Sequence, residues 1–562
     1  MAEGLDSQIG RIVDVQESRM TALITRGEDG VFPIVEHEGQ QLPIGQIGSY
    51  VVVRQLGMRI VAMVMRAYTE ERGLHVSPDG ELRGNAYHAV NRCLINLIPL
   101  GQLDAQENFQ RGVIDFPVPG AEVHYILPSE VDILFKKYRH LGFEPGYLPT
   151  MTKKGVCLDP SNLFGRHLAI LGQSGSGKSW GVTSLIQRAV QTMPNAHIIL
   201  LDLHGEYVWR DDDGKMHSAF LEEQMNYFDA RDLEIPYWLL TYSELIDLLI
   251  DENDPKSSTQ KAFLREVLLA LRKKSNKALE GVQISIDSPV SFSMIELYQQ
   301  FKRANEQTSD FGKSRGPLYG QFDEFLVKLQ SRFNDVRYDF LFKPKRRKES
   351  DSLADLLRDF VGLGEKRCQV TVIDFSSVPF DVRPLVSAQI GRLAFEFNYW
   401  NPRSQEFPIL LVCEEAHNYI PREVGSQYDG ARRSMERIAK EGRKYGVGLA
   451  VVSQRPAEVS ETVLAQCGNY ICFRVTNPDD QAYIRKLVPD AEGDLVNILS
   501  ALGRGEVLAL GEAIPIPTRL RMHRPDPEPN SHNVDYYTQW KNTEIDLDVE
   551  AIVNRWRRQG RG

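Results

Sequence analysis

Eight consecutive residues, Gly172-Gln173-Ser174-Gly175-Ser176-Gly177-Lys178-Ser179, stand between an apolar run, HLAILG, and a helix-like run, WGVTSLIQRAV. This G-x-x-x-x-G-K-[ST] spacing is suited to holding a triphosphate. The glycines let successive backbone N–H groups wrap a phosphate, and the following helix offers its positive N-terminus. Lys178 then reaches the β- and γ-phosphates, and the Ser179 hydroxyl ligates Mg²⁺. Trp180 closes the stretch and is grouped with the nucleotide-binding residues.

A second chemical signal is ILLVCEEAH, Ile409 to His417, an apolar strand ending in two carboxylates. A carboxylate at the C-terminal end of a buried strand can hold a water of Mg²⁺, while its neighbour points away and can polarise an attacking water. Glu414 is assigned the metal role and Glu415 the base role. Two other strand ends belong to the same edge, where α/β sheets bind ligands: Asp202-Leu203-His204-Gly205-Glu206-Tyr207 and Ser453-Gln454-Arg455-Pro456. Gln454 can hydrogen-bond the γ-phosphate or the lytic water, or these polar residues can simply cap their strands. The cationic stretch Arg432 to Gly446 contains Arg443 before Lys444. It reads either as an arginine finger aimed at a neighbouring subunit's nucleotide or as a solvated helix face.

These residues need a sheet to position them. From residue 151 the apolar runs HLAILG, HIILLD, QVTVID, ILLVC, GLAVVS and YICFR have the character of strands buried on both faces of a parallel α/β sheet. Between the second and third lies too much chain for one crossover. Its helical periodicity, in KAFLREVLLALRKK, FDEFLVKLQSRF and LADLLRDF, predicts an inserted helical subdomain over 241–364. The basic run there, Lys343 to Lys348, reads as a solvated loop. Residues 1–150 carry short β-rich runs with Gly and Pro breaks, among them Gly27-Glu28-Asp29-Gly30, and predict a small antiparallel barrel or sandwich whose style continues to about Pro149. The expected core is therefore 151–240 with 365–524. A Pro-rich arm over 525–562 follows, with one short basic helix at its end.

The sequence has 562 residues, 42% of them apolar and 25% charged, enough for several packed domains. Lys+Arg 66 against Asp+Glu 76 gives a net charge of −10, which excludes a simple basic coat protein but not a local basic bore. The six scattered cysteines form no metal-type pair and read as reduced packing residues. With no apolar stretch near the roughly 18 residues of a membrane span, the expectation is a cytoplasmic protein without membrane partners.

GQSGSGKSW, LDLHGEY, LLVCEEAH, KEGRKYG and VSQRP together resemble the HerA family of hexameric DNA-translocating ATPases and, more distantly, the FtsK translocases. The resemblance implies an N-terminal barrel like the HAS barrel, a RecA-like P-loop ATPase core split by a helical insertion, and ATP with Mg²⁺ as cofactors. It makes Lys178 and Ser179 the Walker A pair, Glu414 the Walker B acid, Glu415 the catalytic glutamate, Gln454 the sensor and Arg443 the trans-acting finger. Glu414 stands where Asp is common among P-loop ATPases, adding one methylene of reach. The resemblance further implies a homohexamer threading double-stranded DNA, with a NurA-like nuclease or an anti-phage defence effector as partner. Two other readings remain: an ATP-binding ring scaffold that activates an effector, and a secretion- or conjugation-type ATPase.

Overall fold

Apolar runs that alternate or stay wholly apolar become strands, and the computed structural model shows how they pair. It describes residues 7–16, 19–25, 34–37, 40–71, 91–104, 106–211, 213–275, 281, 283–309, 314–423, 425, 428–531, 534–542 and 547–558. The expected break at Gly27 to Gly30 lies outside them. Two compact units form: Met1–Met193 with Val452–Ala457 and Leu464–Asp526, and Pro194–Val451 with Glu458–Val463 and Pro527–Gly562.

The first unit opens with the expected barrel. Strands Arg19–Ile24, Gln8–Gln16, Glu122–Tyr125, Tyr50–Gln55, Met58–Glu71 and Asn91–Leu103 pair in that order, and the last returns to the first through Met20 opposite Leu97. Closure removes the exposed edges that an open antiparallel sheet would leave. Ile60 to Val64 are all buried, so the longest strand is the barrel's apolar centre. The all-β expectation up to Pro149 is interrupted by a helix, Pro128–Arg139. Pro128 opens it, the Glu130 side chain accepts from the Leu127 N–H at 3.0 Å, and Val131, Leu134, Phe135 and Tyr138 form its buried stripe.

Beyond the barrel, this unit carries strands Met151–Val156, Gly146–Leu148, Thr518–Met522, Glu506–Gly511, Asn469–Cys472 and Leu168–Leu171, in sheet order. The last two are parallel, pairing Leu168 with Asn469 through Leu171 with Cys472. Helix Lys178–Thr192 leaves the end of Leu168–Leu171 and packs on Phe473, so closely that a Cβ on Gly181 would meet the Phe473 Cζ at 2.3 Å.

The second unit holds the parallel strands Val447–Ser453, Ile409–Cys413, Ile198–Asp202, Val370–Asp374 and Met225–Asp229, in that order. The last two residues of the first of these strands belong to the first unit. All six predicted runs are strands; Met225–Asp229, missed in the sequence, is the edge strand. Its residues Asn226 to Asp229 are only half-buried, so the run lacks the continuous apolar character of its neighbours.

The helical periodicity of 241–364 is realised in Ser257–Ser275, Asp323–Asn334 and Leu353–Phe360, with Tyr242–Leu249 and Met294–Glu306 between them. Phe263, Phe301, Phe322 and Phe325 pack in their core with ring centres 3.9 to 4.9 Å apart, two pairs stacked and two edge-to-face. These helices belong to the same compact unit as the parallel strands. The Lys343–Lys348 run is a loop as expected, with Lys343, Lys345, Arg346 and Lys348 exposed and Arg347 the exception. Arg347 is 5% exposed and pairs with Asp359 at 2.8 Å, while its carbonyl accepts the Trp238 indole N–H and Glu234 accepts the backbone N–H groups of Lys345 and Arg346. Among the cations of the run only Arg347 departs from the solvated reading, because its acceptor lies 12 residues further along the chain. The arm contains helices Tyr536–Asn542 and Val549–Arg558, one more than expected. All six cysteines are buried and free, and no helix among the described residues is long and apolar enough to cross a membrane.

Gly181→Ala should overpack this helix against Phe473 and lower stability by about 1–3 kcal/mol, read by denaturant unfolding. His197, stacked 3.8 Å from Phe407 and donating from Nδ1 to the Val361 carbonyl, is pushed by burial from 6.5 down to about 4. Its neutral form is favoured by folding, so its contribution is complete above pH 6.5 and is lost as pH falls through about 4. The stability of the wild type relative to His197→Gln should therefore decline over that window; a pH-independent difference would contradict the assignment.

Candidate functional site

In the first unit the phosphate loop is held by backbone contacts. Leu168–Leu171 is wholly buried, and where it ends the Gly172 N–H donates to the Ser453 carbonyl at 3.2 Å and the Gln173 N–H to the Arg474 carbonyl at 3.0 Å. The Gln173 side chain accepts from the N–H and hydroxyl of Thr476 at 3.1 and 2.7 Å. Gly175 and Gly177 take φ of 73° and 101°, a region L side chains rarely enter, which turns the chain tightly enough for its N–H groups to face inward. Gly172 has a different reason: a Cβ there would lie 2.5 Å from the Phe473 Cβ. Ser174 and Ser176 complete the loop, with the Ser176 hydroxyl on the Gln173 carbonyl at 2.7 Å.

Gly177 caps helix Lys178–Thr192, and Lys178 and Ser179 occupy its first two positions. Lys178 is only 7% exposed, and its Nζ donates to the Gln173 carbonyl at 3.2 Å, so its cation sits over the loop. The loop's far side is tied by the Gly505 N–H to the Ser176 carbonyl at 3.1 Å. Beside it the Trp180 ring meets the guanidinium groups of Arg504 and Arg524, 5.7 and 5.1 Å from its centre. Gln454 follows Ser453, whose carbonyl anchors Gly172, so this unit brings Gln454 to the same strand edge as the loop. These residues form a cradle of N–H groups with one lysine, which fits a polyphosphate.

The second unit gathers carboxylates at its parallel strand ends. Asp202, Asp374 and Asp229 are in register across three strands. Asp202 is fully buried and accepts four backbone N–H groups, those of His204, Gly205 and Glu206 on Oδ1 and that of Tyr207 on Oδ2, at 2.8 to 3.2 Å. Burial pushes its carboxyl up to about 7 against the pull of these donors, with the Asp374 charge adding to the rise. Asp374 accepts the Tyr227 hydroxyl at 2.9 Å and the Ser376 N–H at 2.7 Å. Asp229 is held by Arg231 and by the Ser377 hydroxyl.

Glu414, 3% exposed, ends Ile409–Cys413. Its Oε1 accepts the Tyr207 hydroxyl at 2.6 Å, while among the described residues no donor reaches Oε2. Burial holds this carboxyl well above its ordinary value, and Glu206 and Asp202 push the same way. A buried carboxylate oxygen without a donor fits a divalent cation, which would replace the missing hydrogen bond. Glu415 adopts φ 47° and ψ 45°, a left-handed conformation unusual for a residue with a side chain. The turn is locked by the Tyr419 hydroxyl on the Glu414 carbonyl at 2.8 Å and by the N–H and side-chain amide of Asn418 on the Glu415 carbonyl at 2.9 and 3.1 Å. Backbone strain of this kind is retained at functional positions.

Arg443 is exposed in the short 3-10 turn Gly442–Tyr445, before strand Val447–Ser453. Because Val447 pairs in parallel with Ile409, Arg443 lies at the strands' N-terminal end and Glu414 at their C-terminal end. The second unit therefore keeps this arginine away from its own carboxylates. Tyr207, Asp374, Tyr227 and Tyr419 were missed as site residues. The LDLHGEY motif did carry Tyr207, but nothing in the sequence pairs it with a glutamate 207 positions away.

The glycine cradle opening a helix after a buried strand defines the class, a P-loop ATPase core. Within that class, the family model described as Helicase HerA, central domain, matches residues 143–394. The DNA double-strand break repair helicase HerA of Pyrococcus furiosus is 28% identical over 449 residues, covering 75% of this chain and 76% of the relative. The protein of the same name from Saccharolobus solfataricus is 27% identical over 389 residues, covering 68% and 69%. Among solved structures, VirB4 of Thermoanaerobacter pseudethanolicus gives a TM-score of 0.44 at 17% identity, covering 71% of this chain and 98% of that one. The HerA likeness read from the motifs is borne out by the family and sequence matches.

Replacing Glu415 by Asn, which tolerates the left-handed region, should raise stability by up to about 1 kcal/mol in thermal or denaturant unfolding. A loss of stability would show that the side chain, not the backbone, sets the conformation.

Proposed function

We propose that this chain is an ATP-driven motor on double-stranded DNA, working as a homohexameric ring. The observation that carries the reading is the phosphate cradle Gly172 to Ser179, built as a strand–loop–helix within the residues that the HerA central-domain model matches. Two relatives named DNA double-strand break repair helicase HerA support DNA as the track.

In this reading Gly172 to Trp180 bind ATP, with Lys178 on the β- and γ-phosphates. Ser179 and Glu414 would hold a Mg²⁺ ion, which would supply neutralisation of phosphate charge. Glu415 takes the proton of the attacking water, and Gln454 hydrogen-bonds the γ-phosphate. Arg443 serves the neighbouring subunit's nucleotide, a role supported by its exposure and its place at the strand end remote from Glu414. We further assign 1–150, 151–240 with 365–524, 241–364 and 525–562 as barrel, core, inserted helical subdomain and arm. The partner is a NurA-like nuclease or a defence effector, and the setting is the cytoplasm. A ring concentrates positive charge in its bore, so a chain of net charge −10 can still hold DNA with a steep salt dependence.

Lys178→Ala should abolish ATP retention in equilibrium binding, and Glu415→Gln should bind ATP while losing roughly 10²–10⁴-fold in turnover. Wild-type turnover in either variant contradicts the site. Mixing Arg443→Ala with Glu415→Gln subunits should restore part of the activity if Arg443 acts in trans, and no rescue rejects that role. Native mass measurement should give six chains with nucleotide. Triplex displacement on duplex DNA should require hydrolysis, whereas ATP turnover without displacement favours the effector scaffold.

A further inference from the structure

The most constrained contact at the strand ends is one that no motif accounts for: the Tyr207 hydroxyl on Glu414 Oε1, at 2.6 Å and buried from solvent. Tyr207 has little freedom of its own. Its ring is 0% exposed and lies parallel to Phe220 at 6.2 Å, its N–H is held by Asp202 Oδ2 at 2.9 Å, and its carbonyl accepts the Ala219 N–H at 2.8 Å. Asp202 is in turn fixed by its other three backbone donors. A rigid donor therefore meets a side chain that is longer by one methylene than an aspartate and has one more torsion to settle.

A single hydroxyl on one carboxylate oxygen does two things. It stops rotation about the last side-chain bond, and it occupies Oε1 so that the other oxygen is the one presented. That other oxygen, Oε2, is buried and has no donor among the described residues. Simple satisfaction of a buried carboxylate would supply donors to both oxygens, as Asp202 and Asp374 illustrate nearby.

We propose that Tyr207 is a positioning residue that leaves Glu414 Oε2 free for the divalent cation, making Glu414 a one-oxygen ligand of fixed direction. The inference rests on the metal role of Glu414 given above. Partners that orient a metal ligand in this way are commonly worth 10–100-fold in metal affinity.

The test uses the full chain and Tyr207→Phe, which removes one oxygen and keeps the ring. Binding of a fluorescent non-hydrolysable ATP analogue is titrated with Mn²⁺, and steady-state hydrolysis is titrated with Mg²⁺. The half-saturating metal concentration should rise about tenfold in both, while metal-free affinity for the analogue and KM for ATP at saturating Mg²⁺ stay at wild-type values. Phe220→Leu, which loosens the ring's bed but keeps the hydroxyl, should shift the metal curves by less than Tyr207→Phe does. Unmoved metal curves in folded Tyr207→Phe overturn the proposal, as does an equal shift in Phe220→Leu. Should Tyr207→Phe not fold, 3-fluorotyrosine at position 207 strengthens the donor and must move the metal curves; unmoved curves overturn the proposal there too. Glu414→Gln separates the two levels. If it leaves the metal curves unchanged, the metal role of Glu414 fails and this inference with it. If it shifts them and Tyr207→Phe does not, only the positioning role fails.

Discussion

Strands buried on both faces leave polar chemistry no place along their length, so it collects where they end. In the second unit that constraint puts Asp202, Asp374, Asp229 and Glu414 at the C-terminal ends of neighbouring parallel strands, with Ile198 to Leu201 and Ile409 to Cys413 buried behind them. Carboxylates crowded there repel one another and lose hydration, and each must be compensated locally. Backbone N–H groups compensate Asp202, a tyrosine and a backbone N–H compensate Asp374, and an arginine with a serine compensates Asp229. Glu414 is left with one satisfied oxygen.

The same economy of space shapes the first unit. Phe473 lies under both Gly172 and Gly181, so the glycine that opens the loop and the one in the first turn of its helix are required by a single buried residue, the first by its Cβ and the second by its ring. Positive φ at Gly175 and Gly177 meets a separate need, the inward turn of the N–H groups. Glycine in this stretch therefore answers two physical demands, close packing beneath the loop and left-handed backbone within it.

Strain appears where a side chain must leave the strand direction. Glu415 follows Glu414 directly, and the left-handed turn at Glu415 sends the chain into the short 3-10 segment Ala416–Asn418. Tyr419 and Asn418 hold that turn through the two glutamate carbonyls. Two adjacent carboxylates thus receive different environments from a backbone reversal: one is sealed beside Tyr207, and the other lies 3.3 Å from the His417 ring. Differing environments are the usual means by which like groups take unlike roles.

Much of this was legible in the residues. Uninterrupted apolar runs mark buried strands because a strand covered on both sides cannot afford alternation, and each of the six such runs is a strand. The phosphate loop was readable because its chemistry is local: eight consecutive residues make their own cradle. The helix Pro128–Arg139 and the edge strand Met225–Asp229 were missed, the first inside a stretch read as β and the second because a half-covered strand carries no continuous apolar run. The buried ties of Arg347 could not be read, since charge is visible in a sequence while its acceptor 12 residues on is not. The sequence alone thus determined which residue types stand at which strand ends, because burial and local loop geometry depend on near neighbours. Tertiary structure decided which oxygen of Glu414 is held, that Glu415 is strained and that Arg443 lies at the opposite strand end from Glu414, because these depend on strand order and on contacts between residues far apart in the chain.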